Sequence, residues 1–134
     1  MKKKECIDLL LKIINDIRNE NYAIEFINGG YSYSKEITTI SKILDTSYFQ
    51  NVLDENYSAY KISGKNLNNI EDISSFSLME CIVYLNWLWH IDGSGILTGI
   101  IYTKIKNGKY ILLLERIKDC IESDNLINIG ELWK

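Results

Sequence analysis

Residues 78–90 carry Leu78, Cys81, Ile82, Val83, Leu85, Trp87, Leu88 and Trp89, which fall on every side of a helix. A helix that is apolar nearly all round cannot rest on a surface. Other elements must enclose it, so the segment predicts a central buried helix. Its start is written in the residues just before it. Ser77-Leu78-Met79-Glu80 has the form of a capping box, in which the Ser77 hydroxyl accepts from the Glu80 amide and Glu80 reaches back. Phe76 before the cap and Cys81 inside the helix are spaced as a hydrophobic staple. Asp92-Gly93-Ser94-Gly95 then ends the pattern.

Helical spacing recurs elsewhere. Ile7, Leu10, Ile14 and Ile17 place a first helix over 3–20, and Ile37, Ile40 and Leu44 a second over 35–45 with Ser34 as its cap. Between them Tyr22-Ala-Ile-Glu-Phe-Ile27 is β-prone, followed by the turn signal Asn28-Gly29-Gly30. A short helix is expected near 47–55, and the polar stretch 61–75 reads as the longest loop. Residues 96–116 allow two readings. Asn107-Gly108 between β-rich runs signals a hairpin over 97–115. Tyr110, Leu114, Ile117 and Ile121, however, repeat at the spacing of a helix face, which favours helices over 96–106 and 109–122. The expected fold is mainly α, with about five to six helices around 78–90 and one short strand or hairpin. The alternative is α+β with the hairpin at 97–115. The 134 residues, 46% hydrophobic, suit a single domain over 1–134 with one core.

Composition removes several function classes. A net charge of -3 is too weak to draw a polyanion by its bulk field, so no direct nucleic-acid partner is expected. Cys6, Cys81 and Cys120 are scattered, odd in number and set in apolar segments, which points to buried thiols in a reducing compartment, the cytoplasm. No apolar run reaches a membrane span, and Asp8, Lys12 and Asp16 interrupt the first segment where a secretion signal would stay apolar, so no membrane is expected. One histidine and dispersed thiols do not give zinc spacing, and no phosphate-binding glycine loop is present, so no cofactor or metal is expected.

Two sets of residues could carry function. His90-Ile91-Asp92-Gly93-Ser94-Gly95 follows the rigid helix, and its glycines would let a ligand approach the backbone. His90 is the only histidine, with Asp92 near enough to orient it and Ser94 a nucleophile on paper. No nucleophile-elbow pattern supports catalysis, and the same residues read as an ordinary helix end. The second set is Tyr31, Tyr33, Tyr48, Tyr57 and Tyr60 beside Asp54 and Glu55, which suits a protein-binding rim. Trp87 and Trp89, two residues apart, face nearly opposite ways, so at most one leads into the core centre. Acids also gather at Glu71-Asp72 and at Asp119, Glu122 and Asp124.

Over residues 31–117 the order of features resembles a bacterial and phage family of small helical domains, the domain of unknown function 6508. Val52-Leu53-Asp54-Glu55-Asn56-Tyr57 is similar to its flanked aspartate. Gly99 and Gly108 stand for its glycines nine residues apart, and Leu113-Leu114-Glu115-Arg116-Ile117 for its closing segment. His90–Ile96 departs from the family's polar turn, lacking its Arg-Phe pair. The resemblance implies helices over 96–122 and no defined activity. Size, acidity and this resemblance lead to an expected function: a non-enzymatic protein-binding module, carried by a phage or mobile element, that blocks a bacterial enzyme such as a defence nuclease. The alternative expectation is a small enzyme or ligand-binding domain using His90, Asp92 and Ser94.

Overall fold

At Ser77 the side chain accepts from the Glu80 amide at 3.2 Å, and Glu80 accepts from the Ser77 amide at 3.2 Å, so both halves of the capping box form. In the computed structural model, which describes residues 2–46, 49–50, 61–62, 65–66 and 72–123, this box opens a helix over Leu78–Gly93. Earlier in the chain lie helix α1 (Lys3–Arg18), strands β1 (Ile24–Ile27) and β2 (Gly30–Tyr33), and the short helices α2 (Lys35–Thr38) and α3 (Ser41–Leu44). A two-residue pair, β3 (Lys61–Ile62) with β4 (Lys65–Asn66), follows. The capped helix is α4, and α5 (Ile100–Lys106) and α6 (Lys109–Ser123) complete the described chain. The fold is mainly helical with a short antiparallel hairpin.

From Cys81 to Trp89 no residue of α4 is exposed, as its all-round apolar sequence requires. α1 and α6 are one-sided instead. α1 buries Cys6, Leu10, Ile13, Ile14 and Ile17; α6 buries Tyr110, Leu113, Leu114, Ile117 and Ile121. α6 is the element that touches α1, α4 and α5 together. Arg116 of α6 adds a polar tie, its Nε and Nη2 donating to the Phe76 carbonyl at 2.9 and 2.7 Å. That bond fixes the approach to the α4 cap from the far side, and Phe76 itself is buried. Arg18 of α1 pairs with Glu115 of α6.

The structure settles 96–116 as two helices, and the alternative hairpin over 97–115 is excluded. α5 starts later than expected, since 94–99 form turns, and α4 runs on to Gly93. Asn107 has φ -90° and Gly108 φ +80°, the left-handed exit of a helix rather than a hairpin turn. The hairpin forms at the earlier Asn-Gly pair. Asn28 and Gly29 have φ +52° and +82°, the double positive φ of a type I′ turn, and they close β1 onto β2. The expected helix 35–45 is two short helices, α2 and α3. Of the expected helix 47–55 the structure describes 49–50, which are helical; of the expected loop 61–75 it describes 72–75 and the small β3–β4 pair, a strand pair where a loop is expected, and the rest of both lies outside the described residues. No helix among the described residues is long and apolar enough to cross a membrane.

Candidate functional site

Helix α5 has a problem at its first turn that the sequence solves from a distance. Its N-cap is Gly99, at φ +82°, which has no side chain to accept from the free amides. A Cβ there would lie 2.6 Å from Cε2 of Tyr31, so the position needs both glycine's conformation and its lack of bulk. The missing acceptor comes from α4. Asp92 Oδ2 accepts from the Ile101 amide at 2.9 Å, and the Tyr33 hydroxyl accepts from the Tyr102 amide at 3.1 Å. The same hydroxyl donates to Asp92 Oδ2 at 2.7 Å. A carboxylate at a helix N-terminus is also favoured by the helix dipole. Asp92 is only 7% exposed, so these bonds are what make its burial tolerable.

This network fastens the hairpin. Tyr33 also meets the Trp89 ring edge-on at 5.2 Å, and Trp89 Nε1 donates to the buried Tyr110 hydroxyl at 3.1 Å. Tyr31 stacks on Tyr102 at 5.3 Å and takes the Phe26 ring edge-on at 5.1 Å. Lys106 lies over the rings of Tyr22 and Tyr102. Burial, and then the bond to Asp92, push the Tyr33 phenol well above its usual range. Burial does the same to Tyr110.

Against this geometry the expected site residues separate. His90 and Asp92, two positions apart on α4, face nearly opposite ways. His90 is exposed, whereas Asp92 is buried toward the hairpin and α5. Ser94 is exposed and its hydroxyl donates to the Ile91 carbonyl at 3.3 Å. These three residues are not assembled around one point. Tyr31 and Tyr33 are half-buried anchors of the hairpin. Tyr48, Asp54, Glu55, Tyr57 and Tyr60 lie outside the described residues. Trp87 and Trp89 are both half-buried, and Trp87 stacks on Tyr84 at 6.1 Å.

Two open clefts lie among the described residues. One, of about 320 Å³, is lined by Ile40, Ser41, Leu44, Asn86 and Trp89 among others. The other, of about 300 Å³, brings Asp72 together with Glu115, Arg116 and Asp119. It unites two of the acidic stretches, but Glu115 pairs with Arg18, and Lys118 with Asp119 at 3.0 Å. Neither cleft is lined by His90, Asp92 or Ser94. Among the described residues, no group of three His, Cys, Asp or Glu could hold a metal ion.

The feature that composition did not reveal is a set of exposed apolar side chains on two segments that meet. Phe26 is 64% exposed and Ile27 48%, and in the α4–α5 connection Ile96 is 69% and Leu97 43% exposed. The two segments meet through Tyr31, whose ring contacts Phe26 and covers Gly99, two residues beyond Leu97. A signal was available, because Phe26-Ile27 and Ile96-Leu97 each adjoin a glycine turn in which side chains tend to project. No family model, curated protein or solved structure matches this chain.

Proposed function

We propose that this protein is a non-enzymatic protein-binding module whose contact surface is the hairpin end. The observation that supports the reading is that Phe26 of the hairpin and Ile96 and Leu97 of the α4–α5 connection, large apolar side chains in water, stand on segments joined through Tyr31. Single exposed apolar residues need no explanation, but a group on adjoining segments does. The anchoring matters as well, since a pre-ordered surface loses little entropy on binding. The biological form that we propose is the one expected from size, acidity and resemblance: an inhibitor or accessory protein of a phage or mobile element, acting on a bacterial enzyme such as a defence nuclease.

The test uses the full chain immobilised beside a Phe26→Ser/Ile96→Ser variant, under conditions where urea unfolding shows both fully folded. Loss of the Phe26–Tyr31 ring contact is expected to cost the variant about 1 kcal/mol. Bacterial lysate is passed over both. The expected result is a protein retained by the parent and retained at least tenfold less by the variant. Equal retention by both, or none by the parent, would refute the proposal.

A further inference from the structure

We propose that the outer edge of β1 receives an extended strand from the partner, with Lys or Arg opposite Glu25. This inference rests on the protein-binding reading above and specifies how the contact is made. It begins with the register of the hairpin, in which Ile24 faces Tyr33, Glu25 faces Ser32, Phe26 faces Tyr31 and Ile27 faces Gly30. The Ser34 amide donates to the Ala23 carbonyl at 2.9 Å, so 23 and 34 form a hydrogen-bonded pair. Bonded and non-bonded pairs alternate in an antiparallel ladder. Glu25 and Ile27 therefore bond inward to β2, and the N–H and C=O groups of Ile24 and Phe26 point outward.

Those outward groups have no protein partner among the described residues. β2 packs on the helices through Tyr31 and Tyr33, and β1 meets the core through Ile24 alone, while Glu25, Phe26 and Ile27 are exposed. Free edges are ordinarily blunted by proline, lysine or a bulge. β1 has none of these three and its register is continuous, so that its four-residue length and the charge of Glu25 are what limit pairing along it. Its two-residue turn and the Tyr33–Asp92 bond hold the edge straight and in place.

Glu25 decides what occupies the edge. In the register of fullest overlap with a second copy, Ile24 would pair with Phe26 and Glu25 would face its own copy. Like charges directly opposite are destabilising. A register centred on Phe26 sets Ile24 against Asn28, whose φ of +52° ends the strand. One centred on Ile24 enlists Tyr22, which Lys106 covers. Self-pairing is thus disfavoured. An antiparallel segment with a basic residue opposite Glu25 meets an opposite charge instead. The residues on either side of it, opposite Ile24 and Phe26, fall on the face of the exposed Phe26 ring and are best apolar.

The test is selection of random ten-residue displayed peptides on the full-length protein. The expected winners share an apolar–basic–apolar core. In a synthetic copy of the best one, N-methylation of the two amides that face β1 lowers affinity at least tenfold. Glu25→Lys protein selects an acidic residue at the centre instead. Phe26→Pro removes one outward donor and no hairpin bond, and is expected to weaken the peptide at least tenfold. The N-methyl comparison uses unaltered protein, so it stands even if that variant misfolds. Winners without the core, an indifferent N-methyl peptide, unchanged winners on Glu25→Lys, no winners, or concentration-dependent dimers in sedimentation would each overturn strand addition. Partner retention lost in Phe26→Ser/Ile96→Ser but kept in Glu25→Lys would leave the module and sink the strand. No retention at all would sink the module.

Discussion

Asp92 and Gly99 act as one unit, although seven positions separate them. The glycine permits close approach of Tyr31, and the carboxylate replaces the cap that the glycine cannot provide. Asp92→Ala would leave the Ile101 amide and the Tyr33 hydroxyl without their acceptor. We expect a loss of about 3 kcal/mol in urea unfolding, against about 1 kcal/mol for Tyr33→Phe. Gly99→Ala should cost about 2 kcal/mol from its positive φ alone, before the Tyr31 ring is displaced. The thiols give a pH prediction. Burial raises Cys6 and Cys81 from 9.0 to about 12. With the folded value raised, the unfolded chain releases these protons first as pH climbs. Stability from this source is full below pH 9 and is lost between 9 and about 12. The slope over pH 9–10 should average about 1 kcal/mol per unit per thiol, and Cys6→Ala should remove one thiol's share. Urea midpoints measured across that range check it. The role of Asp92 was not legible in the sequence. Adjacency to His90 suggested a polar loop, whereas the acceptor need it meets arises at a helix start nine residues on.

The chain contains Asn28-Gly29 and Asn107-Gly108, and identical dipeptides end as different structures. The first has both residues at positive φ and closes a hairpin; the second has only the glycine so and ends α5. Flanking periodicity separates them. Beyond Gly108, Tyr110, Leu114, Ile117 and Ile121 keep a helical stripe buried against the core, which outweighs local β preference. We expect Asn28→Gly to change stability by about 0.5 kcal/mol or less. Gly29→Val should cost about 2 kcal/mol, because a β-branched residue at positive φ is strained. Asn107→Val should cost about 1 kcal/mol, because Asn107 has negative φ and the loss is that of the bond its Oδ1 accepts from the Lys109 amide at 3.0 Å. Urea unfolding compares all three. The capped α4, α1 and α6 were legible because each has a strong local stripe or cap. The split of 35–45 into α2 and α3 was not. Ile37, Ile40 and Leu44 are spaced alike whether the helix breaks at Thr39-Ile40 or runs through.

At the scale of the whole molecule, α1, α4 and α5 gather on α6, and the hairpin is attached to this body by tyrosines and one carboxylate. That arrangement leaves Phe26 on the hairpin and Ile96 and Leu97 on the α4–α5 connection exposed to water, on segments joined at Tyr31. Sequence periodicity shows which residues share a face of one element. It does not show that a hairpin and a distant connection project side by side, because their meeting depends on Tyr31 lying over Gly99. The most direct test is amide hydrogen exchange on the protein alone and with its captured partner. Protection gained at 24–27 and 96–98, with the cleft beside Asn86 and the His90 face unchanged, is the predicted result. Protection confined to that cleft or to the His90 face, with the hairpin exchanging as it does alone, would contradict the proposed contact surface.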